Sequence, residues 1–359
     1  MKNRIFTLAL LAMSAFAYVS CSSNDSEEAD PNAALYNGVL TNVSNNVIVE
    51  TYKKMNDNAL LLEAAIDNLE ASRTADNLAA VKLAWQATRA PWESSESFLY
   101  GPVETEEIVD PAIDSWPVDV VAIDNIIASP GAITAASLAT NNDARGFHTI
   151  EYFIWGINSN KTVGQITDRE FEFLQAAAED LQNNTQKLYD AWRVGGDNYA
   201  GNFSGAGTSG SVYPSQKAAL TEITEGLFGI ADEVANGKIE TPLNGNGGSA
   251  MPEAEESRFS NNSKLDFANN IRSIQNMYMG DYNGTDGMGM TNIVSLTNAT
   301  LDNTIKTKIQ DAIDAINAIP NTFTDGITNN RPAVTNAQNK VNELKTLLES
   351  QLLPFITNL

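Results

Sequence analysis

Residues 305–320 read IKTKIQDAIDAINAIP. Ile305, Ile309, Ile313, Ile316 and Ile319 step by four, four, three and three, which places all five on one face of a helix that turns every 3.6 residues. Polar and charged residues fill the other faces, so the segment is an amphipathic helix with one stripe to bury. Pro320 stops it, because proline cannot continue the hydrogen-bond ladder. The same period starts again at Pro332, suited to a first helical position, and runs through Val341, Leu344, Leu348 and Leu352 to a stop near Pro354. It recurs over roughly 35–70, 76–100, 168–193, 215–237 and 263–279, with no run of alternating strand residues between. The expected class is all-α.

Glycine-rich polar stretches punctuate these helices. Gly195 to Ser211 holds six glycines, Gly237 to Ser249 four, and Gly280 to Gly289 four. Glycine weakens helices and polar residues gain nothing from burial, so all three read as loops. The first lies near the middle of the chain and sets a boundary near residue 210. An N-terminal helical domain, 35–210, and a C-terminal one, 211–359, are expected, each a bundle of about four helices packed by their stripes. From Gly101 to about Asn142 the chain carries four prolines and several acids; it reads as an irregular excursion, and long loops in compact domains are often functional.

At the N-terminus, Lys2 and Arg4 precede an apolar run from Ile5 to Tyr18. That run is shorter than the ~20 residues a membrane-spanning helix needs, so residues 1–20 read as a secretory signal peptide. It ends in Tyr18-Val19-Ser20-Cys21, a lipobox-like site that makes Cys21, the only cysteine, the expected point of lipidation. With no second cysteine the chain has no internal disulfide to form. Residues 21–34 are polar and acidic, a tether rather than a folded segment. An exported lipoprotein of the outer membrane is expected, on its periplasmic face or at the cell surface, touching the membrane only through its N-terminal lipid. The net charge of −23 repels phosphates and argues against a nucleic-acid partner.

The chemistry gathers in three stretches. In Gly146-Phe147-His148-Thr149-Ile150-Glu151-Tyr152-Phe153-Ile154-Trp155-Gly156, His148 and Glu151 stand three apart on one helical face, able to share a ligand. His148 is the only histidine, which excludes a three-histidine zinc site and the His-Glu-x-x-His motif. In Ala84 to Glu96, Glu93 and Glu96 have the same spacing amid Trp85 and Trp92, and Pro91 is expected to kink the helix just before them. The third stretch is Asp110-Pro111-Ala112-Ile113-Asp114-Ser115-Trp116-Pro117. Carboxylates flanked by tryptophan and proline need a cation or hydrogen bonds to hold their charge. Paired Glu-x-x-Glu and His-x-x-Glu echo the logic of helical di-iron sites, and oxygen ligands with one imidazole suit iron, manganese, calcium or zinc. Arg89 and Arg145 are either partners that keep the acids ionised or surface ion-pair residues. Trp85, Trp92 and Trp155 read as core or pocket wall. The Gly280–Gly289 stretch lacks the lysine of a phosphate-binding loop and reads as plain loop.

The chain resembles the imelysin-like family, whose hallmark Gly-x-His-x-x-Glu is matched by Gly146, His148 and Glu151. Further similar stretches are Trp85 to Pro102, Asp110 to Asp119, Ala231 to Ile239, Glu255 to Ser260 and Asn269 to Gln275, so the likeness covers nearly all of the chain after Cys21. It implies two helical domains with the His-Glu motif near their interface, an envelope setting, and a link to iron acquisition. It also implies a metal site on Glu93, Glu96, Asp114, His148 and Glu151, lined by Gly146, Arg89, Trp92, Arg145 and Trp155. The ligand would be a divalent or ferric ion, iron favoured and zinc or calcium possible, or a small metal-bearing molecule. Envelope iron-uptake proteins are the expected partners. In this chain the segment from Glu96 to Asp114 is longer than in such relatives, and Trp116-Pro117 stands in place of a basic residue. Two alternatives follow: a metallopeptidase using His148 and Glu151, and a non-enzymatic surface interaction module in which the cluster is structural.

Overall fold

The computed structural model describes residues 30–104 and 110–359; the expected signal peptide, Cys21 and most of the expected tether lie outside the described residues. Among the described residues no strand forms, only the isolated bridges Asn246–Ser249 and Tyr282–Thr285. No helix among them is long and apolar enough to cross a membrane. The fold is all-α.

The chain opens with α1 (Ala33–Asn42), which runs through a wide π-helical turn, Val43–Ile48, into α2 (Val49–Ala71). A turn leads to α3 (Ala75–Glu93), whose first turn is capped by the Thr74 hydroxyl accepting from the Asn77 amide. Short helices follow: α4 (Asp110–Asp114), α5 (Val120–Ala128) and α6 (Ala135–Leu138). The segment expected to be irregular is thus partly helical. Its turns are started by local caps, Asp119 to the Ala122 amide and a reciprocal Thr134–Ser137 box, in helices too short to show a period. Next come α7 (Gly146–Trp155) and the long α8 (Asp168–Trp192), which a Thr167–Glu170 capping box starts.

After α9 (Ala200–Ser204), the second half holds α10 (Gln216–Glu233), α11 (Glu240–Asn244), α12 (Ser263–Met279), α13 (Met290–Thr297), α14 (Ala299–Asn317), α15 (Phe323–Asn329), α16 (Arg331–Leu347) and α17 (Leu353–Thr357). The isoleucine stripe of α14 is buried along its whole length, as are Val341, Leu344, Leu348 and Leu352. Pro354 does not stop the last helix; a π turn at Leu348–Leu352 leads into α17, whose first turn holds the proline.

In the first half, α2 packs against α3 and α8; in the second, α10, α12, α14 and α16 pack together. The apolar core is continuous from Tyr36 to Ile356, and α3 lies directly against α12. That contact brings the acidic end of α3 onto a helix from the far half of the chain.

Candidate metal centre

The site is built on Arg89, which lies one helical turn before Glu93 and is wholly buried. Its guanidinium pairs with Glu93 and Asp114, reaches Glu256 Oε1 at 2.7 Å, and stands 3.9 Å from Asp266 Oδ1. A planar fork with several donors suits this role better than an ammonium would. Trp92 adds an indole N–H to Asp114 Oδ2 at 2.5 Å.

α3 ends at Glu93, two residues after Pro91, so Glu93 and Glu96 do not share a helix as the spacing suggested. Proline inside a helix disrupts its hydrogen bonding, and Glu96 falls in a 3₁₀ turn, Glu96–Phe98. Asn270 of α12 re-joins the two: its amide donates to Glu93 Oε2 at 2.6 Å and to Glu96 Oε2 at 3.0 Å.

His148 enters from the first turn of α7. Its Nδ1–H donates to Glu151 Oε2 at 2.8 Å, while Nε2 lies 3.0 Å from Asp114 Oδ1 and 3.9 Å from Glu256 Oε1. The Trp116 ring covers the imidazole at 4.8 Å between centroids. Gly146 is the reason α4 and α7 approach so closely. It has φ +78°, and a Cβ there would collide with the Ile113 carbonyl next to Asp114.

Five expected ligands therefore meet, with unequal roles. Glu151 stands behind the ring: Oε1 accepts the Ser260 amide and hydroxyl, both at 2.7 Å, and Oε2 accepts from His148. A carboxylate so engaged orients the imidazole rather than offering a ligand atom. Of the lining residues, Gly146, Arg89 and Trp92 belong to the cluster. Arg145 turns instead to Asp180 at 3.4 Å, and Trp155 packs edge-on against Trp85 at 5.2 Å.

Sequence reasoning missed Lys238, Glu256 and Asp266. Lys238 stands in a π-helical turn, Val234–Ile239, that continues α10; π turns recur at functional sites. Its ammonium is 2.8 Å from Glu96 Oε2, 3.1 Å from Glu256 Oε2 and 3.7 Å from Glu93 Oε2. For Lys238 and Glu256 a signal was present, since Ala231 to Ile239 and Glu255 to Ser260 resemble family stretches; Asp266 lies outside every such stretch. What no local pattern carried was their meeting with α3.

Carboxyl groups outnumber the cationic groups here, and burial keeps some of them protonated. Glu93, Glu96, Asp114, Glu151, Glu256 and Asp266 surround two fixed cations, Arg89 and Lys238, and one imidazole. Burial pushes Glu93 up to about 8 against the pull of Arg89 and Lys238, and Asp266 up to about 6. Burial and the Glu93 charge hold Glu96 well above its usual range, while burial and Asp114 raise Asp110 to about 7. Two acids go the other way. Burial opposes it, but Arg89 and His148 hold Asp114 far below the carboxylate range, and Lys238, His148 and Arg89 pull Glu256 down to about 2. Burial and Arg89 disfavour a charged His148; the carboxylates of Asp114, Glu151 and Glu256 outweigh them and raise it well above the usual imidazole range.

A cation fits this donor set. Asp114, His148 and Glu256 present ligand atoms within 4.8 Å of one another, and so do Glu93, Glu96 and Asp114. His148 Nε2 is buried with Asp114 Oδ1 3.0 Å away, and Glu256 Oε2 is buried against the Lys238 ammonium at 3.1 Å. Asp114, Glu256 and Lys238 also line an open cleft of about 770 Å³ whose walls include Trp116, Asp110 and Arg258. The cleft gives a path from solvent to the cluster.

The chain is 30% identical to iron-regulated protein A of Synechococcus elongatus over 332 residues, 90% of this chain and 88% of that one. Among solved structures, a Parabacteroides distasonis chain named for iron-regulated protein A superposes with a TM-score of 0.79 at 29% identity, covering 90% of this chain and 95% of that one. An imelysin-like protein from Psychrobacter arcticum shares the fold, with a TM-score of 0.72 at 18% identity over 91% and 97% of the two chains. The sequence profile of the imelysin family matches residues 48–351, and the chain belongs to that family.

Proposed function

We propose that this chain is an envelope lipoprotein of iron acquisition that holds a metal ion, or a small metal-bearing ligand, at the floor of the acidic cleft. The observation that carries the reading is the convergence of Asp114, His148 and Glu256, with donor atoms within 4.8 Å of one another and solvent access through the cleft. The names of two relatives, both called iron-regulated, favour iron. The leader features at Lys2, Arg4 and Cys21 favour export and lipidation.

A bound cation would supply positive charge among carboxylates that outnumber their protein partners. Asp114 and Glu256 offer oxygens already held ionised, and His148 offers Nε2 once its proton leaves. Glu151 fixes the ring, Arg89 is the shared counter-charge that holds the acids together, and Trp116 shields the imidazole. A peptidase needs a free general base beside its metal. Glu151, the acid of the hallmark, has both oxygens committed to His148 and Ser260, so binding is favoured over hydrolysis.

The test is metal analysis of purified wild type and the His148→Ala/Glu256→Gln double variant after dialysis against iron, zinc or calcium. Wild type should retain metal and the double variant should not. Equally poor retention by both sinks the reading. Loss of the membrane-bound fraction in a Cys21→Ser variant tests the anchor.

A further inference from the structure

Among the described residues, Arg258 has no partner for its charge. Each of the other arginines there donates to a carboxylate, amide or carbonyl oxygen. The Arg258 guanidinium makes no ion pair or hydrogen bond; it lies over the Phe259 ring at 5.0 Å, with Nε buried. Two residues earlier stands Glu256, one of the candidate metal ligands. Ser257 between them has a left-handed φ of +49°, which turns the chain, and both Glu256 and Arg258 border the acidic cleft. Leu99, Trp116, Pro117, Met251 and Ala254 give the same cleft an apolar wall. Its volume of about 770 Å³ is that of a site for a small organic molecule. A single water takes up only about 30 Å³, so an ion alone leaves most of the space unused.

We propose that the ligand is a carboxylate-bearing metal chelate, its metal held by Asp114, His148 and Glu256 and a carboxylate of its organic part paired with Arg258. The inference rests on the metal-centre reading of the cluster. A bare cation would satisfy the acids and leave both the arginine and the apolar wall without a partner. An organic anion without metal would face Asp110, Asp114, Glu233, Glu253 and Glu256, and like charges in contact repel. A chelate carries both signs in one molecule. The planar fork of a guanidinium receives a carboxylate through two parallel hydrogen bonds, and burial strengthens them. Arg258 also borders a hollow of about 490 Å³ lined by Ser159, Asn261 and Thr324. None of the candidate metal ligands reaches that hollow, so only the cleft sets the guanidinium and the metal donors around one molecule.

Equilibrium dialysis of the full chain tests the proposal with ferric citrate and ferric nitrilotriacetate, iron and chelator both radiolabelled, beside each chelator alone and Zn²⁺ alone. Wild type should retain iron and chelator together, and far less chelator when iron is left out. In Arg258→Gln the affinity for the ferric chelates relative to Zn²⁺ should fall about 10–100-fold, the loss of a charge-assisted pair. Arg258→Lys, which keeps the charge without the fork, should fall between the two. Circular dichroism establishes that each variant is folded; if Arg258→Gln is not, the wild-type retention of chelator and Arg258→Lys carry the test. Zinc or iron held by wild type with neither chelator overturns this proposal and leaves the metal centre standing. Retention of nothing at all sinks both readings. Chelator held equally with and without iron overturns the chelate, and a folded Arg258→Gln that binds the ferric chelates as wild type does overturns the role of the arginine.

Discussion

His148 Nε2 stands 3.0 Å from Asp114 Oδ1, and the opposite nitrogen of the same ring is held by Glu151 at 2.8 Å. The ring thus separates a carboxylate on the cleft side from one in the interior. That arrangement assigns different jobs to two acids of the same chemical type. Glu151→Gln should lower metal affinity roughly 10–100-fold, as loss of an orienting partner does, with the number of bound ions unchanged. His148→Ala should remove the ion altogether. Competitive titration against a chelator separates the two, and an equal loss in both variants contradicts the assignment.

Gly146→Ala should damage the site through the backbone. A left-handed φ costs a side-chain-bearing residue about 1–2 kcal/mol, and at +78° the new Cβ also meets the Ile113 carbonyl. Relief requires α7 and α4 to separate, drawing His148 from Asp114. Thermal melts should show a loss of at least that strain, and metal affinity should fall although no ligand was changed. An unchanged melting temperature would falsify the account.

The pH dependence has a definite sign. Glu93 at about 8, Asp110 at about 7 and Asp266 at about 6 all stand above the ordinary carboxylate range, burial being the largest cause in each. A raised pKa in the folded state means that folding is favoured while the group is protonated, and that this stability is lost as pH rises through the folded value. The metal-free protein should therefore be more stable at pH 5 than at pH 8.5. Metal binding runs oppositely, because ligands must lose protons: affinity should rise across pH 6–8. Urea melts and titrations at matched ionic strength check both slopes.

Arg89→Met should be among the most destabilising single changes. The arginine is wholly buried, and its removal leaves Glu93, Asp114 and Glu256 without their shared counter-charge. Breaking a buried pair in this way costs about 3–5 kcal/mol. Saturating zinc should recover part of the loss, since bound metal replaces some of the missing charge. Chemical denaturation with and without zinc measures both effects, and a neutral substitution would show that the network carries no net stabilisation.

The fold was legible where the signal is local. The α14 stripe needs only neighbours a few positions away, so periodicity located that helix well. The Gly101–Asn142 segment was harder, because helices of four to nine residues leave almost no period to read. Proline was also ambiguous. Pro91 lies inside α3 and Pro354 at the start of α17, and only packing decides whether a helix ends there.

The residue types of the site were equally plain: one histidine, acids three apart, and acids beside tryptophan. Their roles were not. Arg89 and Glu256 are 167 positions apart, and Glu93 and Asn270, which meet where α3 packs on α12, are 177 apart. By itself the sequence determined an all-helical chain and a short set of candidate ligands, because helical period and residue chemistry are properties of short segments. Only the tertiary structure decided that Glu151 lies behind the ring, Glu256 faces it and Lys238 stands among Glu93, Glu96 and Glu256. Those roles depend on which lone pairs and charges remain free once distant helices have packed, and no local pattern encodes that.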